Sequence, residues 1–561
     1  MPAKSIPYGV ADYNLLIRDE CAYVDKTMYI HSLEQAGYYH IFLRPRRFGK
    51  SLFASMLGYY YDIAEKDNFE FLFSNTHIGQ NPTTRKNTYY VLKFDFSDIE
   101  TGLPEIMLES FIQNIHDTLF AFCDKYQLDI SLEKGNPAMQ LSHFFAQFQA
   151  ICGGKIYVII DEYDKFANEL LGSNPKTFKD TKSGGGFVRT WYAGLKRASG
   201  TIIERIFITG VSPITLDSLT SGFNISKNLS MRGGLNEMMG FTKDEVEQLI
   251  TETIPAEPPI DLMATLTEYY NGYCFSKRGR ERVFNSDMVL YYLDYYHQEH
   301  EPPETLLDHN VVSDYGKLEE LILFETPKQN LKILEEIILS GYTTANVLDT
   351  FTLGQKFEEE HFKSLLFYLG LLTIKEAAPE GIRLQIPNEV MKGLYLKFLK
   401  SIITEEMKHA LKKDRIEEAM CQLGSENSCE KLIILVEDLL RSLSNRDSIG
   451  FDEKHIKLVM FIYAEMSEWY TLKSEYEVLK KYADLVFIPQ DNKPELDIQM
   501  FEFKYIKKSD EFEEKIAAAL AQAEEQLREY SSAKEFLDKK ITCWAVVFVG
   551  DKCARRVRVQ R

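Results

Sequence analysis

The stretch YYHIFLRPRRFGKSLFASMLGYYYD, residues 38–62, constrains the fold more than any other part of the chain. An apolar run, Ile41 to Leu43, enters a stiff basic loop, Arg44-Pro45-Arg46-Arg47, which leads through Phe48-Gly49-Lys50-Ser51 into an amphipathic helix beginning around Ser51. A strand that turns through glycine into a helix offers backbone N–H groups and a positive helix end to an anion. In such a phosphate-binding loop the lysine reaches the terminal phosphates and the hydroxyl ligates magnesium, roles that Lys50 and Ser51 fit. Arg44 stands where the GxxxxGK(S/T) pattern has its first glycine, and GKS preceded by arginines also reads as a surface turn.

The downstream sequence separates these readings. In KIYVIIDEYDK the apolar run from Tyr157 meets Asp161-Glu162, the buried strand ending in acids that a nucleotide site needs. Asp161 would hold the magnesium shell and Glu162 would orient or activate the attacking water. A further strand, ERIFITGVSPI, ends at Thr209, which either senses the terminal phosphate beside the nucleotide or simply precedes an N-cap serine, Ser212. Strand-like runs Tyr39 to Leu43, Tyr89 to Phe96, Tyr157 to Ile160 and Arg205 to Thr209 alternate with helical stretches, which predicts a parallel α/β sheet. The triglycine segment Thr177 to Gly186 reads as a mobile loop.

Several separated motifs together resemble the AAA-ATPase-like family of bacteria: YVDKT (Tyr23 to Thr27), RPRRFGKS (Arg44 to Ser51), IIDEYD (Ile159 to Asp164), TGVSPI (Thr209 to Ile214), GFT (Gly240 to Thr242) and YNGYCF (Tyr270 to Phe275). The resemblance covers roughly the first half of the chain. It implies that the Arg-Pro-Arg-Arg loop is a usual variant, and that Arg44, Arg46, Arg47, Phe48, Gly49, Lys50, Ser51, Asp161 and Thr209 belong to an ATP site.

Beyond the segment EHEPPE, Glu299 to Glu304, the chain becomes mainly helical, and FKSLLFYLGLLTIKEAAPEGIRLQIPN predicts helix, strand, a turn at Pro379 to Gly381 and a second strand, a winged-helix-like order. A charged, helix-prone connector runs from Ser401 to about Ser448. A third α/β pattern begins near Phe451. There, KSEYEVLKKYADLVFIPQDNKPELDIQMFEFKYIKK reads as strands joined at QDNKPE, with Asp484 starting one strand and Glu502 and Lys504 on the next. Period-two alternation puts Glu502 and Lys504 on one face, with Phe501, Phe503 and Tyr505 on the other. Asp484 and Glu502 can then ligate Mg²⁺, the Phe503 carbonyl can complete the shell, and Lys504 can orient water or stabilise the pentavalent phosphate. Glu475 or Glu477, one strand earlier, would bind metal or position a base. On an exposed strand, E-x-K also reads as a cross-strand ion pair.

Element order favours the first reading. A helix around His455 to Tyr470, three strands, a helix from Glu511 to Leu537 and a strand from Ile541 to Val549 match an αβββαβ core. This segment resembles the PD-(D/E)xK nuclease superfamily domain fused to AAA-ATPase-like modules. The resemblance implies a glutamate on the strand before the aspartate and a glutamine on the following helix, a place taken by Gln526 or, second, Gln522. Leu479-Lys480-Lys481-Tyr482 departs from the glycine-and-arginine run of many relatives. The closing Arg555-Arg556-Val557-Arg558 reads as a solvated tail or a phosphate contact.

The expected fold is a multidomain α/β chain: an N-terminal P-loop parallel sheet with helices on both faces, a helical and winged-helix-like middle, and a C-terminal αβββαβ restriction-endonuclease-like domain. The expected divisions are residues 1–296, 297–400, 401–450 and 451–561. The expected function is an ATP-binding protein, an ATPase, that controls a metal-dependent DNA nuclease with Mg²⁺ or Mn²⁺. The alternative is an ATP-dependent switch whose last domain binds nucleic acid or a partner without cleavage. With 561 residues and a net charge of −19, the chain does not suit nonspecific coating of nucleic acid. No apolar run is long enough to cross a membrane, and the eight scattered cysteines suggest neither disulfides nor zinc. These features read as a cytoplasmic protein whose partners are ATP and DNA, with homo-oligomerisation left open.

Overall fold

The computed structural model describes residues 3–100, 104–165, 186–216, 225–254, 261–308, 321–322, 326–349, 351–353, 357–406, 413–444, 453–467, 469–478, 481–490, 493–533, 536 and 539–560. The chain divides into two compact units, one of residues 1–331 with 344–391 and the other of residues 332–343 with 392–561. The triglycine segment lies outside the described residues apart from Gly186.

The first unit is built on strands β1 (Tyr39–Leu43), β2 (Tyr90–Asp95), β3 (Ile156–Asp161), β4 (Ile203–Gly210) and the short β5 (Lys227–Asn228), in the order β2-β3-β4-β1-β5. All four pairings are parallel. Every residue of β3 is buried, as a central parallel strand covered on both faces must be. Helix α1 (Lys50–Tyr61) lies on the face of Tyr157 and Ile159, where the Tyr61 and Tyr157 rings are 4.7 Å apart. Helix α2 (Gly186–Ala198) lies on the other face. Its Trp191 ring stands 5.0 Å from Phe94, which pairs with Ile160 rather than Ile159. Because neighbouring residues of a strand point to opposite faces, this register puts helices on both sides of the sheet.

Parallel pairing also brings the carboxyl ends of the strands together. Leu43 is opposite Gly210 and Asp95 is opposite Asp161, so the loop after β1 and the acids after β3 open into one crevice. Later in this unit come helix α3 (Ser286–Glu299), helix α4 (Glu359–Tyr368) and the antiparallel strands β6 (Thr373–Ala378) and β7 (Gly381–Gln385). The turn between β6 and β7 falls at the Pro-Glu-Gly expected to make it.

The second unit contains helices α5 (Lys413–Ser425), α6 (Glu430–Ser444) and α7 (Glu453–Glu465), strands β8 (Tyr470–Val478), β9 (Lys481–Pro489) and β10 (Ile498–Ile506), helix α8 (Glu513–Ser531), and strands β11 (Ile541–Val549) and β12 (Lys552–Val559). The sheet runs β8-β9-β10-β11-β12, antiparallel except for β10 with β11. A parallel neighbour needs a crossover, and α8 supplies it. Its Ala523, Leu527 and Tyr530 pack with Val486, Met500 and Ala545 of the sheet. The arginine-rich end corrects the expectation of a tail: residues 552–559 form an edge strand, with Arg556 opposite Val546 and Arg558 opposite Trp544. Arg556 pairs with Glu430, and Arg558 donates to Thr542.

Candidate ATP and nuclease sites

The loop after β1 departs from the helical path at two left-handed residues, Arg47 (φ 66°) and Gly49 (φ 86°). Gly49 caps α1 without a side-chain bond, which leaves the first-turn N–H groups facing the crevice. Lys50 is buried at the start of α1, and its Nζ donates to the Pro45 carbonyl at 3.0 Å, curling the loop around its own cation. The Arg47 guanidinium lies 2.8 Å from Asp287, and the Ser286 hydroxyl donates to the Arg47 carbonyl at 3.1 Å, so α3 braces the loop.

The crevice is a cavity of about 620 Å³, within the range of small-molecule sites. Arg46, Arg47, Phe48, Gly49, Lys50, Ser51, Asp161 and Glu162 all line it. So do Val10, Tyr23, Met239, Phe241 and Leu290, an apolar contribution from segments distant in the chain; Tyr23 and Phe241 stand in the YVDKT and GFT motifs, but the sequence did not place them at the crevice.

Two of the residues expected at the nucleotide lie elsewhere. Arg44 is fully buried, donating to the carbonyls of Leu43, Ser230 and Leu235 at 2.9, 2.7 and 2.9 Å. Its guanidinium also lies over the rings of Phe42 (4.2 Å) and Phe275 (4.3 Å). Burial pushes its pKa down to about 9, and the aromatic faces and carbonyl dipoles hold the cation in place. Arg44 is therefore a strut behind the loop. Thr209, fully buried, donates its hydroxyl to the Phe42 carbonyl at 3.0 Å and does not line the cavity.

At the end of β3, Asp161 Oδ1 accepts from Glu162 N at 3.0 Å, while Oδ2 is buried with no hydrogen-bond partner. Burial raises the Asp161 pKa, and the Ser51 hydroxyl and Lys50 act against that shift. An orphaned carboxylate oxygen beside a hydroxyl and a phosphate loop suits a hydrated Mg²⁺. Glu162 has a left-handed backbone (φ 53°), uncommon for a residue with a side chain, and burial raises its pKa.

Asp164 was not singled out from the sequence, and its role is visible only in three dimensions. Its buried carboxylate accepts from Val211 N (3.1 Å), Ser212 N (2.6 Å) and the Ser212 hydroxyl (3.0 Å). Tyr163 donates to the Ser212 carbonyl at 2.6 Å. The acid-rich turn after β3 thus holds the end of β4. A Cβ at Gly210 would lie 2.2 Å from Asp164 Oδ1, which explains the glycine in TGVS.

In the second unit, β9 and β10 pair with Leu485 opposite Phe501. Asp484 and Glu502 interlock: Phe503 N donates to Asp484 Oδ2 at 2.8 Å, and Asp484 N donates to Glu502 Oε2 at 3.4 Å. Lys504 Nζ lies 2.9 Å from Glu502 Oε1, on the shared face that the alternation predicts. Lys457 of α7, which sequence reasoning missed, lies with its Nζ 2.6 Å from Asp484 Oδ1. Glu502 is 2% exposed, and its pKa is pushed up to about 7 by burial first and the Asp484 charge second, with Lys504 acting against them. Two buried carboxylates side by side, Asp484 and Glu502, are a hard-oxygen donor pair that suits Mg²⁺ or Mn²⁺. Among the described residues no group of three or more His, Cys, Asp and Glu forms a metal cluster.

Gln526 donates to Tyr530 at 3.5 Å, and its Oε1 is buried without a partner, whereas Gln522 is exposed. Tyr530 lies within electrostatic reach of Glu502 and Asp484. The side chains of Glu475 and Glu477 lie outside the described residues. Their strand pairs with β9 so that Ser474 is opposite Leu485 and Tyr476 opposite Ala483.

A protein described as an uncharacterized protein in the vnfD 5′ region of Azotobacter chroococcum mcd 1 is 25% identical over 407 residues, 70% of this chain and 69% of that one. The crystal structure of Cdc6p from Pyrobaculum aerophilum aligns with 72% of this chain and 97% of its own, at 12% identity and a TM-score of 0.23. Residues 7–220 match the family model described as a predicted AAA-ATPase, and residues 451–557 match that of the PD-(D/E)XK nuclease superfamily. The chain therefore joins an AAA-ATPase-like domain to a C-terminal domain of the PD-(D/E)XK nuclease superfamily.

Proposed function

We propose that the chain binds and hydrolyses ATP in its N-terminal crevice and cleaves DNA phosphodiesters at its C-terminal carboxylate site, with the first activity controlling the second. The interlocked Asp484 and Glu502 with Lys504 beside them carry the nuclease reading. A divalent ion bound there would supply a Lewis acid and an activated water. Asp484, Glu502 and the Phe503 carbonyl would hold it. Lys504 would orient the nucleophile or take up charge on the phosphate. Gln526 and Tyr530 would steady the substrate side of the site.

In the crevice, Lys50 would exchange the Pro45 carbonyl for a terminal phosphate, Ser51 and Asp161 would hold Mg²⁺, and Glu162 would position water. The nucleotide's base would take the apolar lining from Tyr23, Met239 and Phe241. Control of the nuclease by ATP is supported by the presence of both sites in one chain.

The test is an assay of plasmid, linear duplex, single-stranded DNA and RNA, with and without ATP and Mg²⁺, using the wild type and Glu162→Gln. The wild type should cut DNA only with metal and respond to ATP, and Glu162→Gln should bind ATP but hydrolyse it at least tenfold more slowly. DNA binding without cleavage under every condition would favour a nucleotide-dependent switch instead.

A further inference from the structure

Helix α7 brings to the carboxylate site a cation that no strand motif announces. Lys457 is buried, and its Nζ contacts Asp484 Oδ1 at 2.6 Å, while Oδ2 of the same carboxylate is taken by the Phe503 N–H. Glu502 has its own ammonium group in Lys504 at 2.9 Å. Among the described side chains, each of these two buried acids thus has a lysine against it before any metal enters. A divalent ion approaching Asp484 would meet the Lys457 ammonium at the same oxygen, and like charges a few ångströms apart repel strongly where water is scarce. A phosphodiester brings a further negative charge to which that ammonium can turn. Lysine is a point charge on a flexible stem, so it can move from a carboxylate to a phosphate without leaving the site.

We infer that Lys457 is a built-in counter-ion that competes with the divalent metal for Asp484, and that a DNA phosphate draws its ammonium away, so that metal and DNA load together. This rests on the nuclease reading. It makes Lys457 a positioning residue that keeps the DNA-free protein poorly loaded with metal.

The experiment is Mn²⁺ binding to the full chain, followed by electron paramagnetic resonance, with and without a short phosphorothioate duplex that resists cleavage. Signal that persists in Asp484→Asn is subtracted. Lys457→Met should bind Mn²⁺ roughly tenfold more tightly than the wild type without DNA. The duplex should tighten binding to the wild type and barely change it for Lys457→Met, while Lys457→Arg, which keeps the charge, should follow the wild type. If Lys457→Met does not fold by circular dichroism, Lys457→Gln carries the same comparison. Equal or weaker binding by the folded neutral variant, or an equal DNA effect in it, overturns the inference and leaves the nuclease reading standing. Loss of all Asp484-dependent Mn²⁺ binding, in wild type and variants alike, overturns both.

Discussion

The carboxylate of Asp164 takes both the backbone N–H and the hydroxyl of Ser212, at 2.6 and 3.0 Å, and so ties the acid-rich end of β3 to the end of β4. Asp164 lies three positions after Asp161, so this tie directly supports the turn that carries the acids proposed to hold magnesium. Asp164→Ala leaves the buried N–H groups of Val211 and Ser212 unsatisfied. It should cost about 2–4 kcal/mol in denaturant unfolding. It should also weaken ATP hydrolysis more than ATP binding, since Lys50 and the loop are untouched. Unchanged stability would show that water replaces the carboxylate at no cost.

Arg44 invites a misleading repair. Restoring the glycine of the common phosphate-loop pattern would remove a buried cation that joins three carbonyls and two aromatic faces. Arg44→Gly should therefore destabilise the N-terminal unit by about 3 kcal/mol or more and should not improve ATP affinity. Chemical unfolding beside a fluorescent-nucleotide titration checks both halves. A stable variant with tighter binding would return Arg44 to the phosphate side of the loop.

Glu502 gives the C-terminal site a pH dependence with a definite sign. Its folded pKa, about 7, lies above the ordinary value of 4.5, so the folded protein holds this proton where the unfolded chain releases it. The metal-free protein should lose this contribution to stability as pH rises from about 4.5 through about 7, and Glu502→Gln should flatten that part of the curve. Metal competes with the same proton, so Mn²⁺ affinity should rise over pH 6 to 8 in the wild type and stay low and flat in Glu502→Gln. Calorimetric titrations at three pH values read the difference, and a wild-type affinity independent of pH would remove Glu502 from the ligand set.

Much of this was legible in the sequence because it is local. Gly49-Lys50-Ser51 follows its strand after one short loop, Asp161 ends an otherwise apolar strand, and Glu502 and Lys504 share a face through period-two alternation alone. The missing parts depend on contacts across the chain. Lys457 reaches Asp484 from a helix 27 positions earlier, Asp164 serves β4 rather than its own strand, and the crevice borrows Val10 and Met239 from distant segments. Arg44 was misplaced for a related reason: position in a motif says which loop a residue belongs to, but not which side of it the side chain takes. The arginines of residues 555–558 looked like a tail because charge masked the alternating Val557 and Val559 of an edge strand.

The central claim, that one chain carries an ATP site and a separate metal-dependent nuclease site, is tested most directly by DNA cleavage in Mg²⁺ with wild type and Asp484→Asn side by side, both retaining ATP binding. The account predicts cleavage by the wild type and a loss of at least about a hundredfold in Asp484→Asn, since removing a ligand should cost no less than the roughly 10–100-fold typical of groups that only orient ligands. Equal cleavage by the two proteins would contradict it.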